Sequence, residues 1–169
     1  MAHPTADRNY RLPGSARPSL YAAEISLDLE GRRFQGRETI SLELDEAAGE
    51  IVLHASELEI TSAAARAGGI SEQASVRLAP ESETAVLSFA RPLPAGHVEL
   101  SLAWRGSMSR GLRGLYRAGP LAVTQFEPAD ARRVFPCFDE PAFKARWALA
   151  VEAPAGLALL SNGPPAGAE

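Results

Sequence analysis

The residues of this chain with the most chemistry to offer are gathered between Thr124 and Trp147, TQFEPADARRVFPCFDEPAFKARW. Glu127, Asp130, Asp139 and Glu140 supply carboxylates there, and Arg132, Arg133 and Arg146 supply guanidinium groups. Cys137 is the only thiol of the chain, Lys144 its only lysine, and Phe126, Phe135, Phe138 and Phe143 are interleaved with the charges. A solvated loop has no use for so many aromatics, and a core strand has no use for so many charges. The mixture predicts a half-buried polar corner in which arginine forks meet carboxylates and the remaining lone pairs find partners.

Spacing decides which chemistries these residues could perform. Gln125 and Glu127 lie two apart on what reads as a strand end, so their side chains can point the same way. A carboxylate presented like that can receive a cation; it can equally cap the turn at Pro128. Glu127 itself precedes a proline, which predicts an extended backbone there. Asp139 and Glu140 could be taken for a paired acid/base site, but neighbours on an extended chain face opposite ways and do not share a cleft. Cys137, between Pro136 and Phe138, has no histidine close in sequence and reads as a small buried hydrophobe, not a nucleophile. His3, His54 and His97 stand far apart with no second ligand at helical or hairpin spacing, and one cysteine builds no thiolate site. No catalytic residue and no metal ligand is therefore assigned, and His54, on an alternating strand, reads as a satisfied core or interface histidine.

The elements that must hold this segment are strands. Residues 1–18 carry Pro4, Pro13, Gly14 and Pro18 without apolar periodicity and read as an extended arm. From Tyr21 the chain alternates strictly, with Ala23, Ile25, Leu27 and Leu29 on one side. After a turn at Glu30 to Arg32, Phe34, Gly36, Ile40, Leu42 and Leu44 repeat the pattern, which predicts an antiparallel hairpin. Short strands follow at Ile51 to His54, Leu58 to Thr61, Val76 to Leu78, Val86 to Phe89 and Val98 to Trp104, with turns at Gly68 with Gly69 and at Pro92 to Gly96. Gly111, Gly114 and Tyr116 mark a turn feeding the strand that carries Gln125. One helical turn is expected at Pro128 to Arg133, and a last strand at Trp147 to Val151, before the leucines at 157 to 160. Strands at this spacing without helices between them predict an all-β fold, an antiparallel sandwich-like or saddle-shaped domain over residues 19–169.

Composition narrows the functions further. The net charge is −4, and the 17 basic residues, 16 of them Arg, are scattered without a stripe, so a nucleic-acid partner is not expected. No apolar run approaches the ~20 residues that span a bilayer, and the first residues lack the apolar stretch of a secretory signal. A cytoplasmic location without membrane contact is the expectation.

With these residues in view, the segment resembles the N-terminal domain of the aminopeptidase N (alanyl aminopeptidase) family of zinc metallopeptidases. The matching pieces are Thr124, Gln125, Glu127 and Pro128, then Ala131, Arg132, Phe135 to Pro141, Phe143, Lys144 and Ala145. Weaker likeness runs through Tyr10 to Pro13, Phe34 with Gly36, Ile51 to Ala55, Gly111, Gly114 to Tyr116, and Leu160 to Asn162. The resemblance implies that Glu127 holds the substrate's free α-amino group and that Gln125 lines the pocket for its first side chain. It also implies a structural ion network of Asp130, Arg132, Arg133, Asp139, Glu140 and Lys144 that shapes the corner and supports Glu127. The family's H-E-x-x-H zinc motif and its Gly-x-Met-Glu-Asn loop are not in these 169 residues. The chain thus resembles an isolated, slightly shortened N-terminal domain whose partners are a zinc catalytic domain of the same polypeptide and peptides with a free N-terminus. The cofactor, zinc, belongs to the full-length enzyme; alone, this chain is expected to bind none and to catalyse nothing. The rival reading is a non-catalytic scaffold or interaction module of the same descent, against which the intact T-Q-x-E-P stretch argues. A carbohydrate-binding β-sandwich would need exposed aromatics on one sheet face, and only Trp104 and Trp147 could serve.

Overall fold

In the computed structural model, which describes residues 11–166, the alternating segments form ten strands. β1 (Ala16–Asp28) and β2 (Arg33–Leu44) make the expected antiparallel hairpin, Tyr21 opposite Ile40 and Ala23 opposite Glu38. They are followed by β3 (Ala48–His54), β4 (Leu58–Ala67), β5 (Ile70–Ala79), β6 (Thr84–Leu93) and β7 (Gly96–Ser107). A small separate hairpin joins β8 (Gly114–Ala118) to β9 (Leu121–Gln125), and β10 (Arg146–Glu152) comes last. Eight strands share one sheet in the order β10-β1-β2-β7-β4-β5-β6-β3, antiparallel throughout except for β10 on β1. No helix among the described residues is long and apolar enough to cross a membrane.

Several strands run longer than their apolar signal. β4 continues to Ala67 because Ala63, Ala65 and Ala67 alternate into the core, small side chains that sequence periodicity weighs lightly. Most of the arm read over residues 1–18 lies outside the described residues, and its end at Ala16 to Pro18 already belongs to β1. Ala16 and Pro18 are buried there opposite Leu44 and Leu42, so pairing with β2 overrides the prolines. The expected helical turn is a 3-10 turn at Ala131–Arg133.

The sheet must curl, and the chemistry-rich segment shows why. β1 and β3 are six strand spacings apart, roughly 29 Å in a flat sheet. Yet Cys137 pairs its backbone with His54 of β3, at 2.8 and 3.0 Å, while the next residue, Phe138, donates its N–H to the Tyr21 hydroxyl of β1 at 3.1 Å. Residues 134–138 therefore plug the concave side of a half-barrel. From the middle of the sheet Trp104 donates its indole N–H to the Val134 carbonyl at 2.8 Å. Trp104 is fully buried, and its indole lies so close over Gly36 of β2 that a Cβ there would collide with it.

One core position breaks the pattern. Glu38 lies on the apolar face of β2, between Ala23 of β1 and Leu102 of β7, is 4% exposed, and neither carboxylate oxygen has a hydrogen-bond partner. Burial pushes its pKa well above the carboxylate range, so the neutral acid is the form that folds. A carboxyl with a raised folded-state pKa favours folding fully below its unfolded pKa, and that contribution disappears as pH rises through the folded value. Glu38→Leu should therefore stabilise the domain by about 1–2 kcal/mol at pH 8, with a smaller gain at pH 5. Urea unfolding at the two pH values checks this; a leucine variant less stable at pH 8 would show that Glu38 has a partner in solution.

Candidate functional site

Three turns converge on the plug. The turn between β3 and β4 brings Ser56 and Glu57, the turn between β5 and β6 brings Glu83, and the 3-10 turn brings Arg132 and Arg133. Glu57 and Glu83 both adopt left-handed backbone conformations, φ 58° and 53°, which non-glycine residues avoid unless the surroundings hold them there. Here the arginines do so. Arg133 donates from Nε to Asp130 at 2.7 Å, from Nη2 to Glu83 at 2.7 Å and from Nη1 to Glu57 at 2.5 Å. Arg132 donates from Nε to the Asp139 carboxylate at 2.9 Å, from Nη2 to the Asp139 carbonyl at 3.2 Å and from Nη1 to Glu83 at 3.4 Å. Glu83 thus spans both arginines, and it takes a third bond from the Ser56 hydroxyl at 3.0 Å. Burial lowers the pKa of Arg133, but Asp130, Glu57 and Glu83 outweigh it and the net shift is upward.

Of the six residues assigned to an ion network from sequence, four meet in this cluster: Asp130, Arg132, Arg133 and Asp139. Glu140 does not join it; its carboxylate accepts the Leu12 N–H at 2.5 Å and ties down the stretch just before β1. Lys144 is exposed and makes no ion pair among the described residues, while its neighbours Phe143 and Ala145 pack against the core. Glu57 and Glu83 were not foreseen, since they lie 76 and 50 positions from Arg133 and only the curl of the sheet brings them near.

Beside the ion cluster the plug is apolar. Cys137 is buried and unpaired, and burial raises its thiol pKa, which leaves it a poor nucleophile. His54 is 3% exposed and accepts the Asp139 N–H on Nδ1 at 3.2 Å, so its neutral form carries the proton on Nε2. Burial first, then Arg132, lowers its pKa to about 4. The stability this neutral histidine contributes is complete above its ordinary 6.5 and is lost as pH falls towards about 4.

The β8–β9 hairpin carries the two residues assigned to substrate. Gly114 opens it at φ +60°, and an added Cβ there would come within 3.2 Å of the Arg133 Cβ, so the glycine lets the hairpin seat against the ion cluster. Gln125 ends β9, pairing with Gly114, and is exposed. Phe126 turns inward, its ring edge-on to Phe135 with centroids 5.6 Å apart. Glu127 is exposed again, so Gln125 and Glu127 emerge on either side of an aromatic anchor. The extended backbone expected ahead of Pro128 is instead a turn over residues 127–130 with a cis Glu127–Pro128 bond, closed by the Asp130 N–H on the Phe126 carbonyl at 2.8 Å. Glu127 makes no ion pair among the described residues, whereas Asp130 and Asp139 are both held by arginine. No group of three or more His, Cys, Asp or Glu among the described residues could hold a metal ion. What the arrangement offers is a free carboxylate on a braced turn, suited to binding a cation.

The sequence profile of the Peptidase M1 N-terminal domain matches residues 17–168. The chain belongs to this family. Among relatives of this M1 N-terminal domain, Aminopeptidase M1-A of Oryza sativa subsp. japonica is 38% identical over 172 residues, covering 91% of this chain and 19% of the relative. Aminopeptidase N of Acetobacter pasteurianus is 31% identical over 163 residues, covering 91% and 45%. The Thyrotropin-releasing hormone-degrading ectoenzyme of Rattus norvegicus is 31% identical over 166 residues, covering 91% and 16%. The chain therefore spans less than half the length of each of these relatives, and about a fifth of the rice protein.

Proposed function

We propose that this M1 N-terminal domain is the wall of the substrate pocket in a zinc aminopeptidase, and that Glu127 is the carboxylate that receives the substrate's free α-ammonium group. The observation that carries the reading is the exposed, unpaired Glu127 on a turn whose neighbouring acids are all engaged. An ammonium placed there gains a charge-assisted hydrogen bond, and the first peptide bond is thereby held at a fixed distance from the anchor. Gln125, emerging beside it, lines the space for the first side chain. No group of the described residues fits a zinc site, and on this reading the metal and the hydrolytic step belong to a catalytic domain outside them.

The reading is tested on the intact polypeptide with aminoacyl anilides bearing either a free or an acetylated amine. Free-amine substrates should be cleaved and acetylated ones at least ~10²-fold more slowly, the loss expected when an ammonium can no longer reach a carboxylate. Gln125→Ala should change the ranking of first residues by up to about tenfold while turnover persists. Equal cleavage of the acetylated substrates would remove the amine anchor. Absence of hydrolysis with peptide binding retained would favour the scaffold.

A further inference from the structure

The plug holds to the sheet through few main-chain donors, and most of them end on one residue. Pro136 has no N–H to give, and Glu140 bonds locally to the Phe138 carbonyl at 2.9 Å, so the amides that reach across are those of Cys137, Phe138 and Asp139. Cys137 donates to the His54 carbonyl at 3.0 Å, Asp139 donates to His54 Nδ1 at 3.2 Å, and the His54 N–H returns a bond to the Cys137 carbonyl at 2.8 Å. The Phe138 N–H goes to the Tyr21 hydroxyl. His54 itself is the last residue of β3, paired with Thr84 of β6.

A ring that accepts on Nδ1 and carries its proton on Nε2 has one place left for a second proton, and that place is Nδ1. There the new N–H would face the Asp139 N–H, two donors at hydrogen-bond distance with no acceptor between them. The charges around the ring do not resolve the conflict. Arg132 of the 3-10 turn repels a cation; Asp139, Glu140 and Glu83 of the β5–β6 turn attract one. All three carboxylates are already engaged, Asp139 and Glu83 by arginine and Glu140 by the Leu12 N–H. A charged ring therefore loses its seat. We infer that His54 is a proton-operated latch, which on taking up a second ring proton releases residues 137–139 from β3 and bares the Cys137 thiol while the rest of the sheet stays paired. The release is confined to this short run because Trp104 still holds the Val134 carbonyl and Arg133 still holds Asp130, Glu57 and Glu83. Its direction follows from linkage: the closed latch binds fewer protons than the open one, so acid opens it.

Amide hydrogen exchange of the 169-residue chain, followed by NMR from pH 7 to pH 4 and corrected for the intrinsic effect of pH, tests this. The ring returns to its ordinary 6.5 when released and is held at about 4 when seated, so the protection of the Cys137 and Asp139 amides should fall at least ~10²-fold over this range. At pH 4 the Leu100 and Leu102 amides of β7 should remain at least ~10-fold better protected than these two, the mark of a local opening. His54→Asn keeps an acceptor near the place of Nδ1 and cannot titrate, and its two amides should lose less than about tenfold between the same pH values. The ring nitrogen resonances of His54 in the parent give a reading that needs no variant: the ring should charge only where the two amides have lost their protection. Protection that does not change with pH in the parent would overturn the latch, as would a ring that charges beneath protected amides. An equal loss in His54→Asn would make the carboxylates the sensor instead, and equal protection of the plug and β7 at pH 4 would make the event global unfolding; either overturns the assignment.

Discussion

Glu127→Gln in the intact polypeptide is expected, from the amine-anchor role proposed for it, to lower kcat/KM on free-amine substrates at least ~10²-fold while leaving folding nearly unchanged. A hydrogen bond to a charged group is worth about 1.5–3 kcal/mol, which alone accounts for roughly 10- to 150-fold. The same contact also fixes how far the chain extends past the anchor, so losing it misplaces the scissile bond as well as weakening binding. Folding should be spared because Glu127 is exposed and its turn is braced by others: Phe126 on Phe135, Asp130 on Arg133, and the Asp130 N–H on the Phe126 carbonyl. Glutamine keeps the shape and a hydrogen-bond acceptor and removes only the charge. The decisive comparison is between kcat/KM and melting temperature. Near-normal activity of the variant, or a loss matched by a fall in melting temperature, would return Glu127 to a purely structural role.

The candidate site was legible in part because one stretch of sequence carries most of it. Gln125, Glu127, Asp130, Arg132, Arg133 and Asp139 fall within fifteen residues, and their dense mixture with phenylalanines pointed to a half-buried polar corner. What local sequence could not supply was the other side of the corner. Glu57 and Glu83 look like ordinary turn acids, and nothing within their own neighbourhoods marks them as ligands of Arg133. Their role exists only because the sheet curls until the β3–β4 and β5–β6 turns stand over residues 130–139. Proximity in the chain misleads in the opposite sense for Glu140 and Lys144. Both sit in the same charged run, yet one binds the Leu12 backbone and the other faces solvent.

The strands were legible wherever large apolar residues alternate, as in β1, β2 and β7, because period-two burial is a property of the backbone itself. β4 was foreshortened because its inward residues are alanines, and Glu38 was passed over because a carboxyl on an apolar face contradicts the rule by which the face is read. The parallel pairing of β10 on β1 could not be read from pattern, since register between strands more than a hundred residues apart is a tertiary outcome. That pairing is nevertheless what aligns Trp147 with Tyr21, and through Phe135 it connects the last strand to the turn bearing Glu127. Centroid separations of 4.1, 4.9 and 5.6 Å run from Tyr21 to Trp147 to Phe135 to Phe126. The apolar chain of rings and the ion cluster thus brace the same turn from two sides.

The ionic brace should be measurable in isolation. Asp139→Ala in the 169-residue chain is expected to destabilise it by about 2–4 kcal/mol, the range for breaking a largely buried charge pair, tempered because Arg132 keeps a longer contact to Glu83. The side chains of Arg132 and Asp139 are only 11% and 18% exposed, so little water is at hand to replace the lost partner. Asp139→Asn, which retains an acceptor for the Arg132 Nε–H without the charge, should cost less than half as much. Cys137 provides a second, local readout, since it sits two residues away in the same plug and is fully enclosed. In the parent its thiol should react with a disulfide reagent only as fast as the domain opens, and in Asp139→Ala the reaction should accelerate in step with the lost stability. Immediate labelling of Cys137 in the native parent would mean that residues 134–138 form an open loop. An Asp139→Ala variant within about 0.5 kcal/mol of the parent, the size of an ordinary surface substitution, would mean that the Arg132 pair does not hold the plug.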